Sequence, residues 1–275
     1  MDIPLVLGGH SFISQLGADP APSEDLQARI VAACLDGGIR RFDTTYRPER
    51  RALGKALERL GRRDEAIIIA WNFFADFGPG EETGGPEAYR PEHIGMMLDD
   101  LRTDRIDRLV VHPVGEERGD RLQEETAVGW MEAGLVGELG TWWPEADARE
   151  KFGRKDFYSF MVRPYNVATR DGAAAFAAAK SLGWENLACS PFVRGWELAK
   201  LAGKAAALEG GGEGVQKERL AGLMLRYSMF AENVDRLIVA MRKEEWVRRN
   251  IEQCRGGPLC AEESEWLLRL AAAGE

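Results

Sequence analysis

Short apolar runs alternate with longer amphipathic stretches along the whole chain. The first run is IPLVLGG, and the stretch SEDLQARIVAACLDGG that follows has helical periodicity, with Ser23 placed as N-cap and Gly37 just past the helix end. Seven further apolar runs are IRRFDT (39–44), AIIIAW (66–71), IDRLVVH (106–112), GELGT (137–141), FYSFMV (157–162), NLACS (186–190) and VDRLIVA (234–240). The pattern therefore predicts eight strands.

Helical patterns separate most of these strands. They include ERRALGKALERLG, PEHIGMMLDDLR, QEETAVGWMEAG, KERLAGLMLRYSMF and KEEWVRRNIEQ, and the helical tail AEESEWLLRLAAA closes the chain. The strands are short apolar runs rather than alternating ones, as expected when both faces of a parallel sheet are buried. We therefore predict an α/β fold in which residues 1–275 form one (β/α)8 TIM-barrel domain. An open doubly wound sheet is the alternative, but its usual GxGxxG turn is absent from the sequence.

Two segments rich in loop-forming residues interrupt the pattern, at residues 73–90 and 208–215. Both follow a strand or its extension. We therefore expect both to be long loops over the C-terminal face of the barrel, acting either as lids or as disordered connections.

Composition narrows the functional classes. The chain has 275 residues and a formal net charge of −9, which argues against nucleic acid or an anionic membrane as partner. No apolar run approaches the ~20 residues that span a bilayer, and the N terminus lacks the basic start of a signal peptide. The four cysteines show no CxxC or metal-finger spacing. We expect a cytoplasmic protein, monomeric or a small homo-oligomer, that acts on a small molecule.

Chemistry in a barrel of this kind takes place at the C-terminal ends of the strands, so the residues there form one set of candidates. They are His10, Asp43, Tyr46, Trp71, Asn72, His112, Trp142, Trp143, Arg163, Ser190 and Arg242. The remaining histidine, His93, is on a predicted helix and is expected at the surface.

Asp43 and His112 are candidates for a general acid and base, with Tyr46 as a further proton donor. Each also has a structural interpretation: Asp43 as a helix cap, His112 as a buried imidazole bonded to a carbonyl, and Tyr46 as a packing aromatic. His10, Asp43 and His112 together are chemically suited to a metal. Because no contiguous ligand motif accompanies them, no metal site is predicted.

Five segments match one enzyme family in the right order along the chain. FDTTYRPERRALGKAL is similar to a signature FDTA–Y–xxE–LG–AL, and LRTDRIDRLVVHP to SLxxLxxDYIDLYxxHxP. MEAGLVGELGT, CSPFVRGWELAK and VDRLIVAMRKEEWVRRNI resemble the GKVRxIGVSN, SPLxxGxLxGK and VIxGxRNxEQxxEN segments. The sequence thus resembles the aldo-keto reductases. The resemblance implies a barrel that reduces carbonyls with NADPH through an Asp, Tyr, Lys and His tetrad.

Residue by residue, the resemblance places Asp43, Tyr46 and His112 in that tetrad, although Tyr46 is two residues closer to Asp43 than in the family. The lysine position falls on Trp71. A neutral indole cannot supply the positive charge that lowers the pKa of a tyrosine and pairs with an aspartate.

The positions that grip the nicotinamide also depart from the family. The Ser–Asn pair becomes Trp142 and Trp143, and the glutamine position falls on Val162. Toward the adenosine end the resemblance is mixed, because Trp246 and Arg249 depart from the family. It assigns NADP binding, if NADP binds, to a set of four residues: Ser190, Gly195, Arg242 and Asn250.

The sequence therefore predicts an enzyme of this fold that uses acid/base chemistry without a redox cofactor, of lyase or isomerase type. The predicted pocket for a ring-bearing or apolar molecule is formed by His10, Trp71, Asn72, Trp142, Trp143 and Arg163. An NADPH-dependent carbonyl reductase is the alternative. A non-catalytic binding or regulatory barrel is the second alternative.

Overall fold

Eight parallel strands close into a barrel in chain order, and this confirms the predicted (β/α)8 fold. The computed structural model describes residues 3–14, 20–78, 81–142, 157–209 and 212–272. The strands are β1 Leu5–Leu7, β2 Arg41–Thr44, β3 Ile67–Trp71, β4 Ile106–Val111, β5 Val136–Thr141, β6 Tyr158–Pro164, β7 Glu185–Cys189 and β8 Arg236–Val239. Each strand coincides with a predicted apolar run.

Helices connect and surround the strands. Those within the described ranges are α1 Glu24–Asp36, α2 Arg47–Leu60, α3 His93–Leu101, α4 Glu117–Glu132, α5 Gly172–Ser181, α6 Trp196–Glu209, α7 Glu213–Met229, α8 Glu244–Arg255 and α9 Ala261–Ala272. The Ser23 side chain accepts a hydrogen bond from the Leu26 N–H and caps α1, as its position in the sequence predicts. Across these ranges, none of the helices combines the length and the apolar character that crossing a bilayer requires.

Side chains on each strand alternate between the barrel interior and the helix layer. On β3, Ile68 and Ala70 join the core between the strands and the helices, whereas Ile69 and Trp71 join the interior cluster. This is the two-residue period of a strand. It delivers Trp71, the last residue of β3, to the mouth of the barrel.

A layer of charged side chains lies at the opposite end, where the strands begin. Arg108 donates through Nε to Glu138 over 3.0 Å and through a terminal nitrogen to Glu185, and its guanidinium covers the Phe160 ring at 4.0 Å. Arg236 also donates to Glu185, over 2.5 Å. These pairs join β4, β5, β7 and β8. We refer to them as the ionic floor.

The two segments predicted as long loops differ in the structure. In the described part of 73–90 the backbone has neither helix nor strand, but the segment is anchored by buried Phe73, Phe74 and Tyr89, and the Tyr89 hydroxyl donates to the Val110 carbonyl over 2.8 Å. The prediction for 208–215 is wrong for most of that segment, because α6 continues to Glu209 and α7 begins at Glu213. Alanine and leucine before the glycines favour helix, so α6 extends into the predicted loop.

Candidate functional site at the barrel mouth

Asp43 and Trp71 meet at the ends of two adjacent strands. Asp43 on β2 is paired in register with Ile69 on β3, two residues before Trp71. The indole Nε1 of Trp71 donates a hydrogen bond to Oδ1 of Asp43 over 2.6 Å, and both side chains are buried. At the position where the resemblance implies an ammonium group, the aspartate has a neutral donor.

The environment of Asp43 shifts its titration toward neutrality. Burial raises the pKa of Asp43 to about 7, and the charge of Glu49 acts in the same direction. The Trp71 hydrogen bond, His10 and a backbone hydrogen bond with Gly9 oppose that rise but do not cancel it. Asp43 therefore exchanges a proton in the range in which acid/base groups work best at neutral pH.

Glu49 is a site residue that the sequence analysis did not select. It is fully buried in the first turn of α2, and its Oε2 accepts the Thr45 N–H over 2.7 Å and the Tyr46 N–H over 3.1 Å. Its Oε1 lies 3.1 Å from Nδ1 of His10, at the distance of an ion pair. The signal was present, because a glutamate three residues into a helix has the spacing of a capping box.

Tyr46 lies at the barrel mouth and packs against the interior cluster that contains Trp71. Its ring is edge-on to Phe73 and to Phe77, with centroid distances of 5.3 Å in both cases, and its centroid lies 5.6 Å from that of His10. The structure thus brings Tyr46 and His10 into the predicted site.

His112 follows β4 directly, and its tautomer can be deduced from its partner. Nδ1 lies 2.8 Å from the carbonyl oxygen of Pro113, and a carbonyl only accepts, so Nδ1 carries the proton and Nε2 is left as an acceptor. Burial lowers the pKa of His112 below its usual range. The imidazole is therefore neutral at pH 7, and its Nε2 carries no proton.

Trp142 covers one side of this imidazole. The two rings are nearly parallel, with centroids 5.6 Å apart, and Trp142 also contacts Trp71 edge-on at 5.2 Å. Arg163 holds Trp142 from β6, with its guanidinium 5.7 Å from the ring and a 3.4 Å hydrogen bond to the Trp142 carbonyl. Trp143 lies outside the described residues.

Asn72 does not line the pocket as predicted. It is fully buried, and its amide nitrogen donates to the carbonyls of Glu87 and His112 and to the side chain of Gln123, while its oxygen accepts the His112 N–H over 3.0 Å. An amide with all its groups used in this way fixes the ends of β3 and β4. Asn72 is therefore a structural residue beneath the site.

His93 is likewise not the surface residue that its place on a helix suggested. It is 2% exposed and stacks on Phe74 with a centroid distance of 3.7 Å. Its Nδ1 accepts the Arg90 N–H over 3.3 Å. The side chain faces the loop segment anchored by Phe74, which the sequence could not place.

The four residues assigned to NADP binding lie on different elements and have different contacts. Ser190 and Gly195 have positive φ angles of 60° and 84° in the turn between β7 and α6. Arg242 donates to the Ile13 carbonyl over 2.8 Å and to the Pro20 carbonyl, so two of its nitrogens already bind the segment after β1. Asn250 lies in α8. Their role in binding a cofactor stays a prediction.

Two described residues at the nicotinamide end of the site, Val162 and Trp142, do not supply the groups that bind a carboxamide. A carboxamide requires matched donors and acceptors, yet Val162 is fully buried in the barrel interior and Trp142 presents an indole packed between Trp71 and His112. The backbone carbonyl of Trp142 is already bonded to Arg163. In the described part of the chain, no three His, Cys, Asp or Glu side chains are grouped so as to hold a metal ion.

Comparisons with solved structures show which fold this is. An aldo-keto reductase from Klebsiella pneumoniae in complex with NADPH superposes with a TM-score of 0.73 at 18% identity, covering 98% of this chain and 90% of that one. The aldo-keto reductase AKR11C1 from Bacillus halodurans, in its holo form, gives a TM-score of 0.71 at 20% identity over 97% and 91% of the two chains. No family model and no curated protein matches the sequence.

The chain therefore has the fold of the aldo-keto reductases, as its motifs indicate. At this level of identity the likeness shows the fold alone. One of these neighbours is in complex with NADPH and the other is in its holo form.

Proposed function

We propose that the barrel mouth is the active site of an enzyme that moves protons on a small carbonyl or hydroxyl compound, without a hydride step. One observation carries this proposal: the indole of Trp71, and not a cation, is hydrogen-bonded to Asp43 over 2.6 Å. A buried carboxyl group with a neutral partner retains its proton up to about pH 7, as the raised pKa of Asp43 indicates. Such a group is suited to donating and recovering a proton at neutral pH.

His112 supplies the base in this proposal. Because Nδ1 donates to the Pro113 carbonyl, Nε2 presents a lone pair and cannot donate to a substrate oxygen until it is protonated. A neutral imidazole with a lowered pKa takes a proton from a hydroxyl group or from carbon next to a carbonyl. The tautomer thus favours proton abstraction as the first step, and isomerisation or elimination as the reaction class.

The aromatic side chains indicate the kind of substrate. Tyr46, Phe73, Trp71 and Trp142 each contribute a ring to the mouth, and Phe73 also contacts His112 with centroids 5.5 Å apart. Rings in this number favour a flat, ring-bearing or apolar molecule that packs against their faces. We therefore propose a cyclic ketone or a cyclic hydroxyketone as the substrate class.

An NADP(H)-dependent carbonyl reductase is the second candidate, and it is the one that the fold comparisons favour. The Ser190–Gly195 turn, with its left-handed residues, is the feature of this chain that supports it, since backbone N–H groups in such turns bind phosphate oxygens. Titration with NADPH decides between the candidates. Quenching of tryptophan fluorescence together with a rise in Tm at micromolar NADPH would establish the reductase, and neither change at millimolar NADPH would exclude it.

Proton abstraction is tested most directly by hydrogen–deuterium exchange. A panel of cyclic ketones is incubated with the protein in D2O, and loss of the proton signal next to the carbonyl is followed by NMR. We expect exchange with the native chain, a reduction of at least about tenfold in His112→Ala and Asp43→Asn, and no change in the control His93→Ala. If the panel shows no exchange while both site variants raise Tm, the non-catalytic barrel becomes the preferred interpretation.

A further inference from the structure

A second acidic side chain, Glu49, lies beside Asp43 at the mouth. Glu49 is fully buried, and its carboxylate raises the pKa of Asp43 by charge repulsion. Two buried carboxyl groups at one site are costly unless a cation or a proton compensates one of them. Glu49 accepts two backbone N–H groups at Oε2, which favours its charged form.

The group at Oε1 of Glu49 is the imidazole of His10. Nδ1 of His10 lies 3.1 Å from that oxygen, and its side chain is 34% exposed, whereas that of Glu49 is 0% exposed. The distance is that of an ion pair, and Oε1 is a buried oxygen with no hydrogen-bond partner among the described residues. The buried guanidinium of Arg50 also acts on Glu49 by charge, but it bonds to three backbone carbonyls of the strand ends.

The backbone is shaped to permit this pair. A Cβ added to Gly9 would lie 2.2 Å from Oε2 of Glu49 and 2.9 Å from the carbonyl oxygen of Asp43. Real Cβ atoms do not approach other atoms this closely, so the carboxylate reaches its place only because residue 9 has no side chain. The turn after β1 thus accommodates the Glu49 carboxylate and presents His10 to it.

We propose that His10 is the cation of the site. The Glu49 carboxylate keeps the His10 imidazole protonated at neutral pH, beside Asp43 and the Tyr46 ring. The positive charge of His10 then lowers the free-energy cost of ionising the buried Asp43. This assignment rests on the proposed function, since it supplies the positive charge for the same proton transfer. His10 is a positioning residue in that scheme, because it acts through Asp43.

The other groups that face Asp43 do not supply this charge. Glu49 approaches from α2 as a like charge, Trp71 from β3 as a neutral donor, and Cys189 from β7 as a thiol whose pKa burial raises to about 12. Gly9 contributes a backbone hydrogen bond. In contrast to these groups, His10 gains a positive charge when it binds a proton.

The protonation of His10 can be measured without any substrate. The chain has three histidines, so the imidazole 15N signals are assigned by substituting each in turn by glutamine. At pH 7 we expect His10 as the imidazolium and both His93 and His112 as neutral rings, in agreement with the lowered pKa of each of the latter two. A neutral His10 at pH 7 in the native chain overturns the proposal, whatever the variants do.

The effect on Asp43 is measured by 13C NMR of its carboxyl group. His10→Gln should move the midpoint of Asp43 titration to higher pH by about one unit, a tenfold change in proton affinity. His10→Lys should restore it, and His93→Gln, the matched control, should not move it. An unchanged midpoint in a folded His10→Gln chain contradicts the proposal. Because this readout needs no turnover, failure of the exchange assay would count against the proposed function alone.

Discussion

Trp71 Nε1 and Asp43 Oδ1 are 2.6 Å apart across two adjacent strand ends, and this contact joins a neutral donor to a buried acid. The bond gives the carboxyl group a fixed orientation. It does not give the group a counter-charge, so burial dominates and the pKa of Asp43 rises to about 7. The contact therefore sets the orientation of the carboxyl group but leaves its charge uncompensated.

Trp71→Phe keeps an aromatic ring and removes the N–H donor. The hydrogen bond lowers the pKa of Asp43, so its loss should move the titration midpoint above about pH 7. The oxygen left without a donor should cost about 1–3 kcal/mol of unfolding free energy where Asp43 is charged. Urea unfolding at pH 6 and pH 9 measures this, and the penalty should be larger at pH 9.

Trp130→Phe is the matched control for that change. Trp130 is 7% exposed on α4 and packs edge-on against Tyr89 at 5.2 Å, away from the titrating carboxyl group. It should lose packing free energy equally at both pH values. A similar pH dependence in the two variants would show that Trp71 has no special relation to Asp43.

Asp43 should make the chain less stable as pH rises. Its folded pKa of about 7 lies above the ordinary value of 3.8, so the folded chain holds a proton that the unfolded chain has released between those values. The resulting stability is fully present below about pH 4 and is lost as pH rises through about 7. At ~1.4 kcal/mol per unit, the upper limit is about 4 kcal/mol.

Asp43→Asn tests the sign of this effect. The amide cannot ionise, so the variant should gain stability relative to the native chain at pH 8 and gain little at pH 4. Guanidinium unfolding across this range provides the comparison. Parallel stability curves for the two proteins would contradict the raised pKa of Asp43.

Gly9→Ala should displace the buried Glu49 carboxylate, because the new Cβ would lie 2.2 Å from Oε2. Overpacking of this kind costs about 1–3 kcal/mol. Gly129→Ala is the control: Gly129 is exposed within α4, and a Cβ there meets nothing within 4 Å. That variant should gain about 0.5–1 kcal/mol from helix propensity. Thermal unfolding of both compares the two sites, and equal Tm values would refute the steric argument.

Arg50→Lys should weaken the anchoring of the end of β3 and of the segment that follows it. The buried guanidinium donates to the carbonyls of Trp71 over 3.2 Å and Phe73 over 2.9 Å, and a lysine cannot reproduce this fork. We expect a loss of about 3 kcal/mol in chemical unfolding. Arg51 is half-exposed and, like Arg50, lies beside the carboxylate of Asp100, so Arg51→Lys should cost less than about 1 kcal/mol. A smaller loss for Arg50 than for Arg51 would be inconsistent with this assignment.

The strand pattern was sufficient to predict the barrel. Apolar runs of strand length occur at all eight positions, and a parallel sheet buried on both faces leaves few other arrangements for them. Strand ends then place Asp43, Trp71 and His112 at one mouth, because parallel strands end on the same face. That part of the site follows from position along the chain.

Side-chain direction could not be predicted in the same way. Asn72 follows Trp71 directly, but its side chain lies beneath the site. There its amide nitrogen donates a hydrogen bond to the side chain of Gln123 on α4. Glu49 reaches His10 only because Gly9 has no side chain, a fit that no local pattern encodes. Contacts between residues distant in sequence decide both cases, and a single chain does not reveal them.

The ionic floor has a consequence for how such a chain diverges. Glu185 is bonded by Arg108 and Arg236 at the start of three strands, so strand stagger is secured at the end of the molecule farthest from the mouth. Mutations at the opposite rim can then accumulate without loosening the scaffold. In a protein built in this way, residues at the mouth can change while the arrangement of the strands is preserved.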